Sequence, residues 1–140
     1  MAREIKIIVA DTNWWVSLVI KKINNQFAEL LLSENLEFVT SKELTNEIKE
    51  TLSKERLQKH LEKSLLDLFW NQYAELVTKV EIVSEVSVCR DPDDNFLLAL
   101  AKDSNADFLI TGDKDLLIIG KFENAIICTL TDFIEKYFHT

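Results

Sequence analysis

The stretch IKIIVAD (5–11) is an almost continuous apolar run, the pattern of a strand buried on both faces. It ends on Asp11, with Thr12 and Asn13 placed to cap the short helix expected of WWVSLVI. A second helix is expected over 25–35, where Phe27, Leu30 and Leu31 recur at helical spacing, and LEFVT (Leu36–Thr40) alternates like a short strand. Thr40 and Glu43 fit a capping box, opening a helix with Leu44, Ile48 and Leu52 on one stripe and Glu47 beside it. Over 56–80, Leu61, Leu65, Leu68, Phe69, Tyr73, Leu76 and Val80 recur at three and four, which predicts a long helical hairpin. EIVSEVSV reads as extended. DPDDNFLLALA opens a helix at Pro92 behind an Asp91 cap. The stretches DFLIT (107–111) and AIICTL are strands, and TDFIEKYF closes with a helix capped by Thr131.

Strands that alternate with helices define an α/β class, here a three-layer α/β/α arrangement around a mainly parallel sheet. A chain of 140 residues is expected to be one domain over 1–140. Only two Gly and one Pro leave room for little but short loops. Cys89 and Cys128 belong to no CxxC or Cys/His cluster and are expected as small core residues. The start carries Arg3, Glu4 and Lys6 ahead of a brief apolar run, unlike a signal peptide. No run approaches the roughly 18 apolar residues of a membrane span. A cytoplasmic protein without a membrane partner is the expectation.

The formal charge of −8 changes the picture. It argues against nonspecific nucleic-acid binding, which needs a basic footprint. The acids are also not scattered. In open parallel sheets, functional groups gather beyond the carboxyl ends of the strands. Asp11 ends the first strand and Asp113 lies just past DFLIT. Glu47 is two turns into the helix leaving the second strand, and Asp94 is in the first turn after Pro92. Singly, each has a plainer explanation: a helix acid near the positive dipole end contributes about 0.3–1 kcal/mol, Asp91 is a cap, and Asp113 is a turn residue. Together they leave Asp91, Asp93 and Asp94 repelling one another without compensation. A hard divalent cation, Mg²⁺ or Mn²⁺, compensates it, since such ions take a few carboxylates plus water and phosphate oxygens. His60 and His139 form no cluster for softer metals. An acidic, His-free metal crevice points to chemistry on phosphates.

VADTNWWVS, SKELTNEI, RDPDDNFLLALA and FLITGDKDLL, in that order, resemble the PIN-domain nucleases, and most closely the VapC-like branch of toxin components from toxin–antitoxin pairs. The resemblance runs over about 5–135, and its second half is the more specific. It implies a metal-dependent ribonuclease whose acidic cluster falls on Asp11, Glu47, Asp94 and Asp113. Asp11, Asp94 and Asp113 would hold one or two Mg²⁺ or Mn²⁺ ions, with Glu47 as a further ligand or as the orienter of the attacking water. Asn13 and Thr111 match positions that hydrogen-bond a ligand or a carboxylate, and Asp115 is an additional acid near the site. Products would carry 5′-phosphate and 3′-hydroxyl ends. A cognate antitoxin protein and a homodimer are implied as partners, beside the RNA substrate. The pair after DTN departs from the family, which is ordinarily aliphatic there: Trp14 and Trp15 cannot both face one core, because successive helical residues diverge by about 100°. One is expected in the core and the other at a subunit interface or stacked on a base. Lys21, Lys22, Lys42, Lys49, Lys54, Arg56, Lys59 and Lys63 could rim the crevice.

Two rival readings compete with it. A haloacid-dehalogenase-like phosphotransferase wants a second Asp where this chain has Asn13. A catalytically silent PIN-like module acting through a partner protein would use the Leu- and Phe-rich helical segment.

Overall fold

A computed structural model describes residues 4–20, 25–59 and 61–138. The strands are β1 (Lys6–Ala10), β2 (Leu36–Thr40), β3 (Val77–Lys79), β4 (Phe108–Ile110), β5 (Lys121–Phe122) and β6 (Ala125–Cys128). The helices are α1 (Thr12–Val19), α2 (Asn25–Leu31), α3 (Lys42–Leu52), α4 (Glu55–Gln58), α5 (Lys63–Leu76), α6 (Asn95–Asp103), α7 (Lys114–Leu117) and α8 (Leu130–Lys136). The six strands run in the order β3-β2-β1-β4-β6-β5, all parallel except β5. The expected α/β class with a mainly parallel sheet is what forms.

The order matters for function. From β1 the chain builds outward to β2 and β3 on one side, then crosses to β4 on the other. The direction of winding therefore changes between β1 and β4, the switch point where open sheets leave a crevice. The register brings Ala10 beside Ile110, and Ile110 beside Cys128. Both β1 and β2 are half-buried at their amino ends and fully buried at their carboxyl ends. Polar residues just beyond those ends are thus held at the border of a dry core.

The helix that feeds β4 is the most buried. In α6, Leu97, Leu98, Ala99, Leu100 and Ala101 are all nearly inaccessible, and the two alanines are small enough to let a helix lie close against its neighbours. The helix ends at Asn105, whose φ of 54° takes the left-handed turn that stops it.

Several elements differ from the sequence expectation. The long hairpin over 56–80 is instead the single turn α4, the helix α5 and the strand β3, because β-branched Val77 and Thr78 leave the helix and pair with Phe38 and Val39. The N-cap of α3 is Ser41, whose hydroxyl accepts from the Leu44 amide at 3.2 Å, and not Thr40. Thr40 is turned inward, bonded to the Tyr73 hydroxyl and 3.4 Å from the Thr45 hydroxyl. Likewise Thr129, not Thr131, caps α8, accepting from Asp132 N at 3.1 Å. The second helix stops at Leu31, and the edge strand β5 was not anticipated. The stretch 80–88 joins no ladder yet keeps a period of two: Val80, Ile82, Ser84 and Val86 are half-buried and the residues between them exposed. Asp103 pins it, accepting from the Val83 and Ser84 amides at 2.7 and 2.9 Å. Cys89 and Cys128 are buried free thiols.

Candidate metal centre

Asp11 follows the last residue of β1 and is 6% exposed. It does not use its carboxylate to cap α1. Instead Oδ2 accepts from the Thr111 hydroxyl at 2.6 Å, across the switch point. The same hydroxyl accepts from the Asp113 amide at 3.0 Å, so one Thr sets the spacing of two acids. Burial pushes the Asp11 carboxyl above its ordinary pKa, and the Thr111 bond only partly offsets this.

Asp91 caps the turn Pro92–Asp94 by accepting from Asp93 N at 3.1 Å, with Pro92 in the first position. Asp94 does no capping. Its carboxyl is pushed up to about 7, first by burial, then by the neighbouring Asp113 carboxyl, then by Asp91 and Glu47. Asp94, Asp113 and Glu47 are therefore electrostatic neighbours although they come from three separate segments. Glu47 is held by Thr12, whose hydroxyl donates to Oε1 at 2.8 Å.

Of the other expected site residues, Asp115 lies in the first turn of α7. Its amide donates to Asp113 Oδ1 at 2.8 Å, and its carboxylate pairs with Arg90 at 2.7 Å. Asn13 is exposed, and its backbone amide rather than its side chain faces Asp11. The carboxylate-holding role expected of Asn13 falls to Thr12. Thr12 was legible only as a hydroxyl beside a strand-end acid, and Arg90 only as a cation beside the aspartate run. The Cys89 amide is held by Asn95 Oδ1 at 2.8 Å, which fixes the chain just ahead of Asp91.

Trp15 is the core member of its pair. It packs edge-on against Phe27, Phe38 and Tyr73, and its indole N–H donates to Ala10 O at 3.2 Å. Trp14 is half-buried against Phe27. Lys42, Lys54, Arg56, Lys59 and Lys63 are exposed, and Lys49 sits 5.6 Å over the Trp70 ring. Lys21, Lys22, His60 and His139 lie outside the described residues.

Do these residues fit a hard divalent ion? Among the described residues no three His, Cys, Asp or Glu side chains form a ready-made cage. Two buried carboxylate oxygens, Asp11 Oδ1 and Asp94 Oδ2, nevertheless have no hydrogen-bond partner. A buried polar atom in that condition costs about 1–3 kcal/mol, and more if charged. Mg²⁺-like ions are commonly bound by one or two carboxylates, with water and substrate oxygens completing the shell. The donor set is all oxygen, and it fits.

A family model described as PIN domain matches residues 7–115, which include all four acids. The chain belongs to the PIN-domain family. The uncharacterized protein MJ1680 of Methanocaldococcus jannaschii is 32% identical over 119 residues, covering 79% of this chain and 72% of its own length. VapBC2 from Rickettsia felis, solved bound to a DNA fragment from their promoter, superposes with a TM-score of 0.58 at 16% identity, over 86% of this chain and 96% of that one. PAE2754 from Pyrobaculum aerophilum gives 0.56 at 18% identity, over 94% and 88%. At such identities the two structures speak for the fold alone. No helix among the described residues is long and apolar enough to cross a membrane.

Proposed function

We propose that the chain acts over 1–140 as a single-domain Mg²⁺- or Mn²⁺-dependent endoribonuclease, the toxin of a toxin–antitoxin pair. PIN domains are typically nucleases. The observation that carries the reading is the pair of partnerless buried oxygens on Asp11 and Asp94, at the switch point between β1 and β4. A fold keeps buried carboxylates unsatisfied at a cost, and a cation is what removes that cost.

The roles follow from the contacts. Asp11, Asp94 and Asp113 would hold the ion, with Thr111 fixing the first and third relative to each other. When bound, the ion lowers the pKa of water, polarises the phosphoryl oxygens and steadies the leaving 3′-oxygen. Glu47, oriented by Thr12, positions the attacking water and receives its proton. Water adds to phosphorus as the bond to the 3′-oxygen breaks, and that oxygen is protonated from solvent. The products are a 5′-phosphate and a 3′-hydroxyl.

A groove of about 530 Å³ between α1, α2 and α5, lined by Trp15, Leu18, Leu31, Leu65 and Phe69, supports an antitoxin segment as the partner. The same groove is what favours the second reading, a module that binds a partner and cuts nothing. Homodimerisation and a cytoplasmic setting belong to the toxin reading.

The test is cleavage of labelled single-stranded RNAs by the purified protein in Mn²⁺, Mg²⁺ or EDTA, beside Asp11→Asn and Asp94→Asn. Metal-dependent cutting, absent from both variants and leaving 5′-phosphate ends, is the expected result. A 2′,3′-cyclic phosphate product excludes the mechanism. Equal cutting by variants and wild type reports a contaminant. No cutting and no Mn²⁺ binding leaves the interaction module.

A further inference from the structure

We propose that Arg90 is the crevice's contact for an RNA phosphate next to the scissile one, parked on Asp115 until a strand arrives. This rests on the nuclease reading and adds to it the group that admits a polyanion to an acidic site. The difficulty is electrostatic. On a chain of formal charge −8, Asp94 has Asp113, Asp91 and Glu47 as neighbours, while Asp11 is linked to Asp113 through Thr111 and Asp115 through its amide. The ion pairs among the described residues are Lys6–Glu4, Arg90–Asp115 and Lys102–Glu123, and only the second meets an acid of the crevice.

Its geometry suits a contact that can be exchanged. Arg90 Nη2 lies 2.7 Å from Asp115 Oδ1, yet the Arg90 side chain is 85% exposed while that of Asp115 is 24% exposed. One nitrogen is engaged and most of the guanidinium faces solvent. A guanidinium has five N–H donors in a planar fork that matches phosphate as well as carboxylate. Handing it from Asp115 to a phosphate therefore replaces one charge-assisted bond with another of the same kind.

The backbone beneath it is fixed. Cys89 is buried, with its amide on Asn95 Oδ1 and its thiol 3.7 Å from Asp115 O, and Asp91 caps the following turn. Arg90 projects from between two anchored residues, so little order must be created on binding. Its position also sets which step it serves. Asp115 is linked to the site acid Asp113 through its backbone amide, so the guanidinium stands at the rim rather than the centre. A rim contact holds the strand and leaves the chemical step to the acids.

The experiment is steady-state cleavage of a labelled single-stranded RNA by the full chain in Mn²⁺, across a series of KCl concentrations, with wild type, Arg90→Ala and Arg90→Lys. Melting temperatures are read alongside. Arg90→Ala should raise KM about tenfold, since it removes the phosphate contact and leaves the Asp115 charge uncompensated at the rim, and change kcat far less. It should also reduce the salt slope of log(1/KM) by about 0.7, the loss of one single-strand phosphate contact. Arg90→Lys should restore the slope, which counts charge, but only part of KM, which reads the fork. If the pair merely pins the loop to α7, Arg90→Ala will lower the melting temperature and kcat while the salt slope stays put, and the proposal is overturned. A wild type that cuts, beside an Arg90→Ala variant with unchanged KM and slope, sinks this inference alone. A wild type that neither cuts nor binds RNA sinks the nuclease reading and this one with it.

Discussion

Two polar clusters lie at the carboxyl ends of neighbouring strands, and they are built on opposite terms. Beyond β2, the hydroxyls of Thr40, Thr45 and Tyr73 are turned on one another, with Tyr73 3.1 Å from Thr45 and also bonded to Thr40. Each group has a partner and none carries charge at neutral pH. Beyond β1, one oxygen each of buried Asp11 and half-buried Asp94 is enclosed without a partner, and both carboxyls are pushed toward protonation. The first arrangement is what a fold does with polar atoms it must bury. The second costs stability and makes sense as a place kept ready for something else. Satisfaction, not polarity, separates the structural cluster from the candidate metal centre.

That contrast can be broken by experiment. The largest effect is expected of Asp94→Asn: RNA cleavage should fall below detection, while the metal-free protein should melt at a higher temperature than wild type. An Asp94→Asn protein that is less stable in EDTA would place the carboxylate in a structural role and erase the contrast. Next is Thr12→Val, which leaves the acids in place but frees Glu47. Activity should drop about 10- to 100-fold, the range for groups that orient a site's ligands and base, with Mn²⁺ affinity changed far less. Tyr73→Phe should act oppositely, removing about 1–2 kcal/mol of stability through lost hydroxyl bonds with Mn²⁺ binding intact. Denaturant melts and titration calorimetry on the same preparations would show the two classes of variant crossing over.

The smallest effect is a drift with pH. Asp94 titrates near 7 in the fold against an ordinary 3.8. Between those values the folded protein holds a proton that the unfolded chain releases. Its contribution is full below 3.8 and is lost as pH rises through 7. The melting temperature in EDTA should therefore decline from pH 5 to pH 8, and Asp94→Asn should remove this component of the decline. Mn²⁺ should raise melting more at pH 8 than at pH 6, because protons and metal compete for the same carboxylates.

The central strands were legible in the sequence because apolar runs announce them locally, and the meeting of Asp94 with Asp113 and Glu47 was legible because each lies within a turn or two of the sheet's carboxyl edge. What failed was arbitration between close neighbours. Thr40 and Ser41 are both plausible caps, and only the inward turn of Thr40 toward Tyr73 decides between them. Thr129 and Thr131 pose the same problem at α8. The strand β3 was absorbed into a helix because Leu76 and Val80 continue a helical spacing, and pairing with β2 overrides that spacing. The strand β5 has two residues and exists only through the turn at Glu123, whose φ is 52°. Thr12 reaches Glu47, 35 positions away in sequence, and such a bond has no local signature.

The sheet's two borders have one more consequence. β3 is three residues long and ends on exposed Lys79, and β5 is two residues long and begins on exposed Lys121. Borders so brief and so charged give a foreign strand almost nothing to zip onto. Strand addition is disfavoured along both of these short borders, and the helix faces are the broader surfaces for a protein partner.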